Sequence, residues 1–169
     1  MTDWGAHQFD IAQWVLGMDE SGPVEVYPPQ DGHEMRVVYA NGVTVERHEP
    51  VDYSEYSIKV IGSEGEVEMH REWLRTKPMS LRYETIKPEQ IRVYYSDDHK
   101  GNFFDCMRSR KKCIADVETG HRSVTVCHLG NIAYRLNRRL KWDPVKERFV
   151  GDEEADRMLC RAKRSPWHV

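Results

Sequence analysis

"MRVVYANGVTVERHE", residues 35–49, decides the fold class. Apolar and polar residues alternate on both sides of Asn41-Gly42, a pair that favours a tight reversal, so the stretch predicts a β-hairpin. The same period of two continues outward. Upstream stands "VEVY" (24–27); downstream, "YSIKVIGSEGEVEMH" (56–70) predicts two short strands across a Gly62–Gly65 turn, and "IRVYY" (91–95) a further strand. Five or six strands in hairpins imply a largely antiparallel sheet.

Helical spacing flanks this run. "DWGAHQFDIAQWVLG" (3–17) places Trp4, Ile11, Trp14, Val15 and Leu16 at helical intervals, with Asp3 able to cap its start and Gly17 to end it. After Ser96, "DDHKGNFFDCMRSRKK" predicts a helix with Phe103, Phe104, Cys106 and Met107 on its inner side. A longer helix follows over about 119–138, although the β-branched run Val124, Thr125, Val126 argues against it locally. "LKWDPVKERFV" (140–150) reads as two extended pieces around Asp143-Pro144. "DEEADRMLCRAKR" reads as a last helix with acids at its start and bases at its end, matching the dipole. The order of a helix, then strands, then helices predicts an α+β fold: a mainly antiparallel open sheet with helices packed on one face. No linker or repeat interrupts residues 1–169, so they are expected to form a single domain around one core.

Composition narrows the function. A net charge of −3 gives no footprint for nucleic acid or anionic membrane, and no apolar run approaches the length of a membrane span. Cys106, Cys113, Cys127 and Cys160 match neither a metal knuckle nor a disulfide scaffold, and are expected to be reduced thiols. No Gly-rich phosphate loop follows a strand, and "GSEG" at 62–65 is a hairpin turn, so no cofactor is expected to bind this chain alone.

Asp3, His7 and Asp10 stand at i, i+4 and i+7, one face of a helix. Three readings remain open. His7 could be a general base, since an imidazole with an ordinary pKa of about 6.5 takes a proton near neutrality and a neighbouring carboxylate favours the imidazolium. The row could be a metal site, with Asp3, His7 and His121 as ligands. Asp3 could be only a helix cap and His7 a half-buried polar residue. Trp4, beside the row, is the tryptophan placed to stack on a sugar ring. His121, after Gly120 at a helix beginning, could face the same cleft; His33, His48, His70, His99, His128 and His168 read as solvated.

Taken together, "DWGAHQFDIAQWVLG", "GHRSVTVCHLGNIAYRL", "LKWDP" and "GDEEADRMLCRAKRSPW" resemble the C-terminal domain of the Gfo/Idh/MocA oxidoreductases, NAD(P)-dependent enzymes acting mostly on sugars, inositols and related polyols. Asp3 and His7 match that family's D-x-x-x-H element. The resemblance implies that His7 takes the alcohol proton while hydride leaves the same carbon for NAD or NADP, and that Asp3 orients or charge-tunes His7 or binds a substrate hydroxyl; Trp4, Asp10 and His121, chosen by their positions, are expected to contact substrate. The family's third group, a lysine in a Glu-Lys-Pro turn of the nucleotide domain, has no counterpart here: Lys77-Pro78 and Lys87-Pro88 lack the glutamate. The resemblance further implies a homo-oligomer paired through an exposed apolar sheet face. The chain is accordingly expected to be the substrate-binding and oligomerisation half of a two-domain enzyme. It should be inactive by itself and cytoplasmic, unless an upstream leader exports the parent. A contrasting expectation is a free-standing, non-catalytic carbohydrate-binding or assembly module.

Overall fold

The expected hairpin forms as strands β2 (Arg36–Val38) and β3 (Thr44–Glu46), but its reversal is longer than a two-residue turn. Gly42 N–H bonds the Tyr39 carbonyl at 2.9 Å and Tyr39 N–H bonds Val43 O at 2.9 Å, leaving Ala40, Asn41 and Gly42 as a three-residue loop. Gly42 takes φ +84°, a left-handed conformation that glycine reaches without Cβ strain. The Asn41 carboxamide oxygen accepts from Val43 N–H at 3.1 Å and closes the loop.

A computed structural model describes residues 2–30, 32–48, 57–90 and 93–166. The chain divides into two compact units, Met1–Glu49 with His121–Val169, and Pro50–Gly120. In the first, β1 (Glu25–Tyr27) pairs antiparallel with β2 on one side and with β7 (Leu140–Asp143) on the other, and β8 (Arg148–Phe149) extends β7. The five-stranded order is β3-β2-β1-β7-β8.

Alternation sorts this sheet into two faces. Val26, Val37, Tyr39, Leu140 and Trp142 are buried against Phe9 of helix α1 (Trp4–Val15) and Val126, Leu129, Ile132 and Ala133 of helix α3 (Val117–Leu136). The α+β expectation, with helices covering one sheet face, holds in this unit. The opposite face carries Glu25, Tyr27, Arg36, Val38, Thr44 and Lys141, polar where an apolar face was expected. There the Tyr27 ring lies under two guanidiniums, Arg36 at 4.5 Å and Arg139 at 5.3 Å, while its hydroxyl donates to Glu25 at 2.6 Å.

Helix α1 runs where expected and ends at Gly17, whose N–H bonds Trp14 O. It faces the core differently, however. Trp14 and Val15 are about half exposed, and the buried pair is Phe9 and Gln13, one turn apart. The reason is a polar knot. Gln13 is fully buried because its amide is satisfied: Oε1 accepts from Tyr39 O–H at 2.6 Å, and Nε2 donates to Met18 O at 3.1 Å and Ser21 O at 3.3 Å. A periodicity count reads Gln13 as surface, whereas a fully partnered amide can be buried at little net cost. Burial also pushes the Tyr39 phenol pKa upward.

Helix α3 is continuous through Val124–Val126. Tertiary burial of Val126, Cys127 and Leu129 overrides the weak local propensity, and Thr125 satisfies its hydroxyl on His121 O at 2.7 Å. Helix α4 (Glu153–Arg157) is shorter than expected and starts at Asp152, which accepts from Ala155 N–H at 3.0 Å. Arg138 grips the same carboxylate with both terminal nitrogens and reaches Glu154 Oε2 at 2.8 Å. The Arg138 hydrogen bond, then the Ala155 N–H, hold the Asp152 carboxyl down to about 2. A carboxyl depressed in the folded state stabilises fully above its unfolded pKa of about 3.9 and stops doing so as pH falls through the folded value. Thermal melts from pH 5 to 2 should therefore decline more steeply for the wild-type chain than for Asp152→Asn; parallel curves would remove Asp152 as a source of acid sensitivity.

In the second unit, β4 (Ile58–Gly62), β5 (Gly65–Met69) and β6 (Leu74–Lys77) form an antiparallel meander, followed by a 3-10 helix, Met79–Tyr83. The Gly62–Gly65 turn is as expected. Gly65 is required there, since a Cβ would lie 2.3 Å from Lys77 O. Strand β6 was not foreseen. Of the expected strand at 91–95, Ile91 and Arg92 lie outside the described residues, and Val93–Tyr95 are exposed and irregular. Helix α2 (His99–Ser109) forms as expected, with the Asp98 side chain accepting from Gly101 N–H at 2.9 Å. Phe103, Phe104 and Met107 are each 52% exposed rather than internal. A single three-stranded meander has too little apolar surface to enclose them.

Candidate functional site

Helix α1 sets the geometry of the acid/imidazole row. Asp3 occupies the N-cap position but its side chain makes no capping bond, which removes the reading of Asp3 as a cap. Its carboxylate and the His7 ring are exposed, and among the described residues no hydrogen bond or ion pair engages either side chain. The half-buried Trp4 ring lies 5.3 Å from that of His7, tilted by 48°.

Asp10 faces helix α3. Its Oδ1 accepts from Ser123 O–H at 2.6 Å, a contact across 113 residues that ties the start of the chain to the buried side of α3. Asp19, which follows the helix, has an Oδ1 shut off from solvent without a hydrogen-bond partner among the described residues, and Gln8 Oε1 is in the same condition. Burial first, then the charges of Asp10 and Glu20, raise the Asp19 carboxyl above the usual range. Sequence reasoning passed over Asp19 and Ser123. Their signal is spatial, a small hydroxyl on the inner side of one helix and an acid at the exit of another.

His121 goes elsewhere. Helix α3 begins at Val117, after Asp116 accepts from Glu118 N–H at 3.0 Å, so His121 stands in the second turn rather than at the helix start. Its Nε2 meets Glu147 Oε1 at 2.8 Å in the β7–β8 turn, and the same oxygen takes Arg122 at 3.0 Å. Arg122 also donates to Pro144 O at 2.7 Å, so the β7–β8 turn is pinned to α3 by an acid, a base and an imidazole. Among the described residues, no three His, Cys, Asp or Glu side chains come together as a ligand set for a metal ion.

The model of the oxidoreductase family C-terminal alpha/beta domain, of the Gfo/Idh/MocA group, matches residues 1–169. The chain belongs to the Gfo/Idh/MocA oxidoreductases. The match spans residues of both units, from the acid/imidazole helix through the meander to the five-stranded sheet. Among curated proteins and among solved structures, none matches the chain. Gfo/Idh/MocA oxidoreductases are generally NAD(P)-dependent. The described strands pair antiparallel, and Gly42 and Gly65 serve hairpin turns.

Proposed function

We propose that this domain supplies the proton-handling and sugar-binding side of an NAD(P)-dependent oxidoreductase acting on a sugar, an inositol or a related polyol. The observation that carries the reading is that Asp3, at the N-cap of α1, and His7, in its first turn, are exposed, with side chains engaged by no hydrogen bond among the described residues and the Trp4 ring 5.3 Å from that of His7. An imidazole not already claimed by a protein group can take the proton of a bound hydroxyl. Asp3, four residues earlier at the N-cap of α1, adds a negative charge that favours the imidazolium once the proton has arrived. Trp4 offers a flat apolar surface to the C–H side of a sugar ring.

Asp10 keeps its second carboxylate oxygen for a substrate hydroxyl while Ser123 holds the first. His121 has no part in this reading, since Glu147 holds its Nε2. The nicotinamide supplies the hydride acceptor when bound. Every step assigned to this chain concerns only the substrate hydroxyl and its proton. The test is an assay of the full-length enzyme carrying this domain, with NAD+ or NADP+ and a panel of sugars, inositols and linear polyols, read by formation of the reduced nicotinamide. Turnover is expected with at least one polyhydroxylated substrate and not with its analogue deoxygenated at the reacting carbon. No reduction with any member of the panel would overturn the reading.

A further inference from the structure

Two cysteines outside the acid/imidazole row, Cys106 and Cys113, stand on the two arms of one tied chain reversal. Arg110, just past helix α2, takes φ +60° and returns its N–H to Cys106 O at 2.7 Å, which reverses the chain and sends it back along the helix. The returning segment is fastened at two points. Cys106 Sγ donates to Lys112 O at 3.5 Å, and Ile114 N–H donates to Asn102 Oδ1 at 3.0 Å. Residues 112 and 114 flank Cys113, so both neighbours of the second thiol are tied to the helical turn that carries the first. Asn102 lies one turn before Cys106. Its Nδ2 donates to the Tyr94 oxygen at 2.6 Å, which leaves the Tyr94 proton free to point at Cys106 Sγ, 3.8 Å away.

We propose that Cys106 and Cys113 are a reversible redox pair, a modification site in which a peroxide converts the two thiols to an intramolecular disulfide at the end of α2. The Cys106 sulfur attacks a peroxide oxygen: an S–O bond forms, the O–O bond breaks, and water leaves with the thiol proton. The Cys113 sulfur then attacks the Cys106 sulfur, an S–S bond forms, the S–O bond breaks, and a second water departs. Two thiols are oxidised by two electrons and one hydrogen peroxide is reduced to two waters. Both thiols are half-buried and within reach of a small oxidant. Among the described residues, Cys113 Sγ donates to the Ala115 carbonyl at 3.3 Å, a weak contact to give up. Cys127 is buried in the first unit, where burial pushes its thiol up to about 11, so it does not compete.

The sequence makes the test direct. Trypsin cleaves after Lys100, Arg108, Lys112 and Arg122, so Cys106 and Cys113 fall in separate peptides, 101–108 and 113–122. The reduced full chain is exposed to hydrogen peroxide at pH about 8, where ordinary thiols are partly ionised. It is then alkylated and digested without reductant. The expected product is a cross-linked 101–108/113–122 pair that disappears on treatment with dithiothreitol and does not form in Cys106→Ser or Cys113→Ser. Asn102→Ala, which frees Ile114 from α2, should slow the cross-link several-fold while both thiols still alkylate. Sulfinic acid on Cys106 without the cross-link, or disulfides formed only through the exposed Cys160, would overturn the proposal.

Discussion

Replacing His7 with alanine in the full-length enzyme is expected to lower kcat by about 100-fold or more, the usual loss on removing a general base. The group lost acts on the proton and not on the rest of the sugar, so KM should change far less than kcat. A wild-type enzyme relying on a neutral imidazole loses kcat/KM toward acid, because the imidazolium has no lone pair left to accept with. That acid limb should flatten in His7→Ala, and added imidazole should restore part of the rate. His7→Gln keeps size and a hydrogen-bonding end but no basic nitrogen, so it should fail like alanine. Asp3→Asn, which keeps shape and loses charge, should cost less than either. Equal turnover in wild type and His7→Ala would take the proton step away from α1, and an unchanged acid limb would do so even if the rate fell.

What made this row legible is that its spacing is local. Asp3 stands at the N-cap of α1 and His7 in its first turn, so their spacing is read from one short stretch of the chain. The residues that set the row's surroundings are not local. Ser123 meets Asp10 across 113 positions and Glu147 meets His121 across 26, and neither pairing leaves a periodic trace. His121 was expected at the cleft because it follows a glycine; the helix had already begun at Val117, and an acid in a later turn claimed the ring.

The fold divides in the same way. The β2–β3 hairpin and the β7–β8 pair follow from residues that carry their own turns, Asn41-Gly42 and Asp143-Pro144. Asp143 accepts from Val145 and Lys146 N–H, both at 3.0 Å, and so shapes that second turn from within, while His121 and Arg122 pin it to α3. Strand β6 escaped because Arg75 and Lys77 interrupt its apolar pattern; its order comes from cross-strand pairing, with Glu66 opposite Lys77 and Glu68 opposite Arg75. The inner side of α2 and the buried side of α1 were misread for one shared reason. Periodicity says which side chains share a face, but the neighbouring elements decide which face is covered.

Leu129→Ala is expected to destabilise the unit formed by Met1–Glu49 and His121–Val169 by about 2–5 kcal/mol, the range for deleting a core leucine whose cavity cannot collapse. Leu129 is wholly buried, one turn from Val126 and from Ile132 and Ala133, on the stripe by which α3 meets the sheet. Collapse is hindered because other side chains of the same core cluster are fixed. Trp142 is held edge-on to Phe149 with ring centroids 5.0 Å apart, and Tyr39 is fixed by its bond to Gln13. Leu129→Met, similar in volume and more flexible, should cost less than about 1.5 kcal/mol. Native-state hydrogen exchange is the suitable measurement, because the chain has two units and one global melt need not be two-state. Amides of residues 126–133 should lose protection by the stated amount while those of β4 and β5 keep theirs. A loss below about 1 kcal/mol at α3 would mean that the helix does not pack on the sheet through this stripe. The placement of Ser123 against Asp10, and with it the seat of α1, would then lose its support.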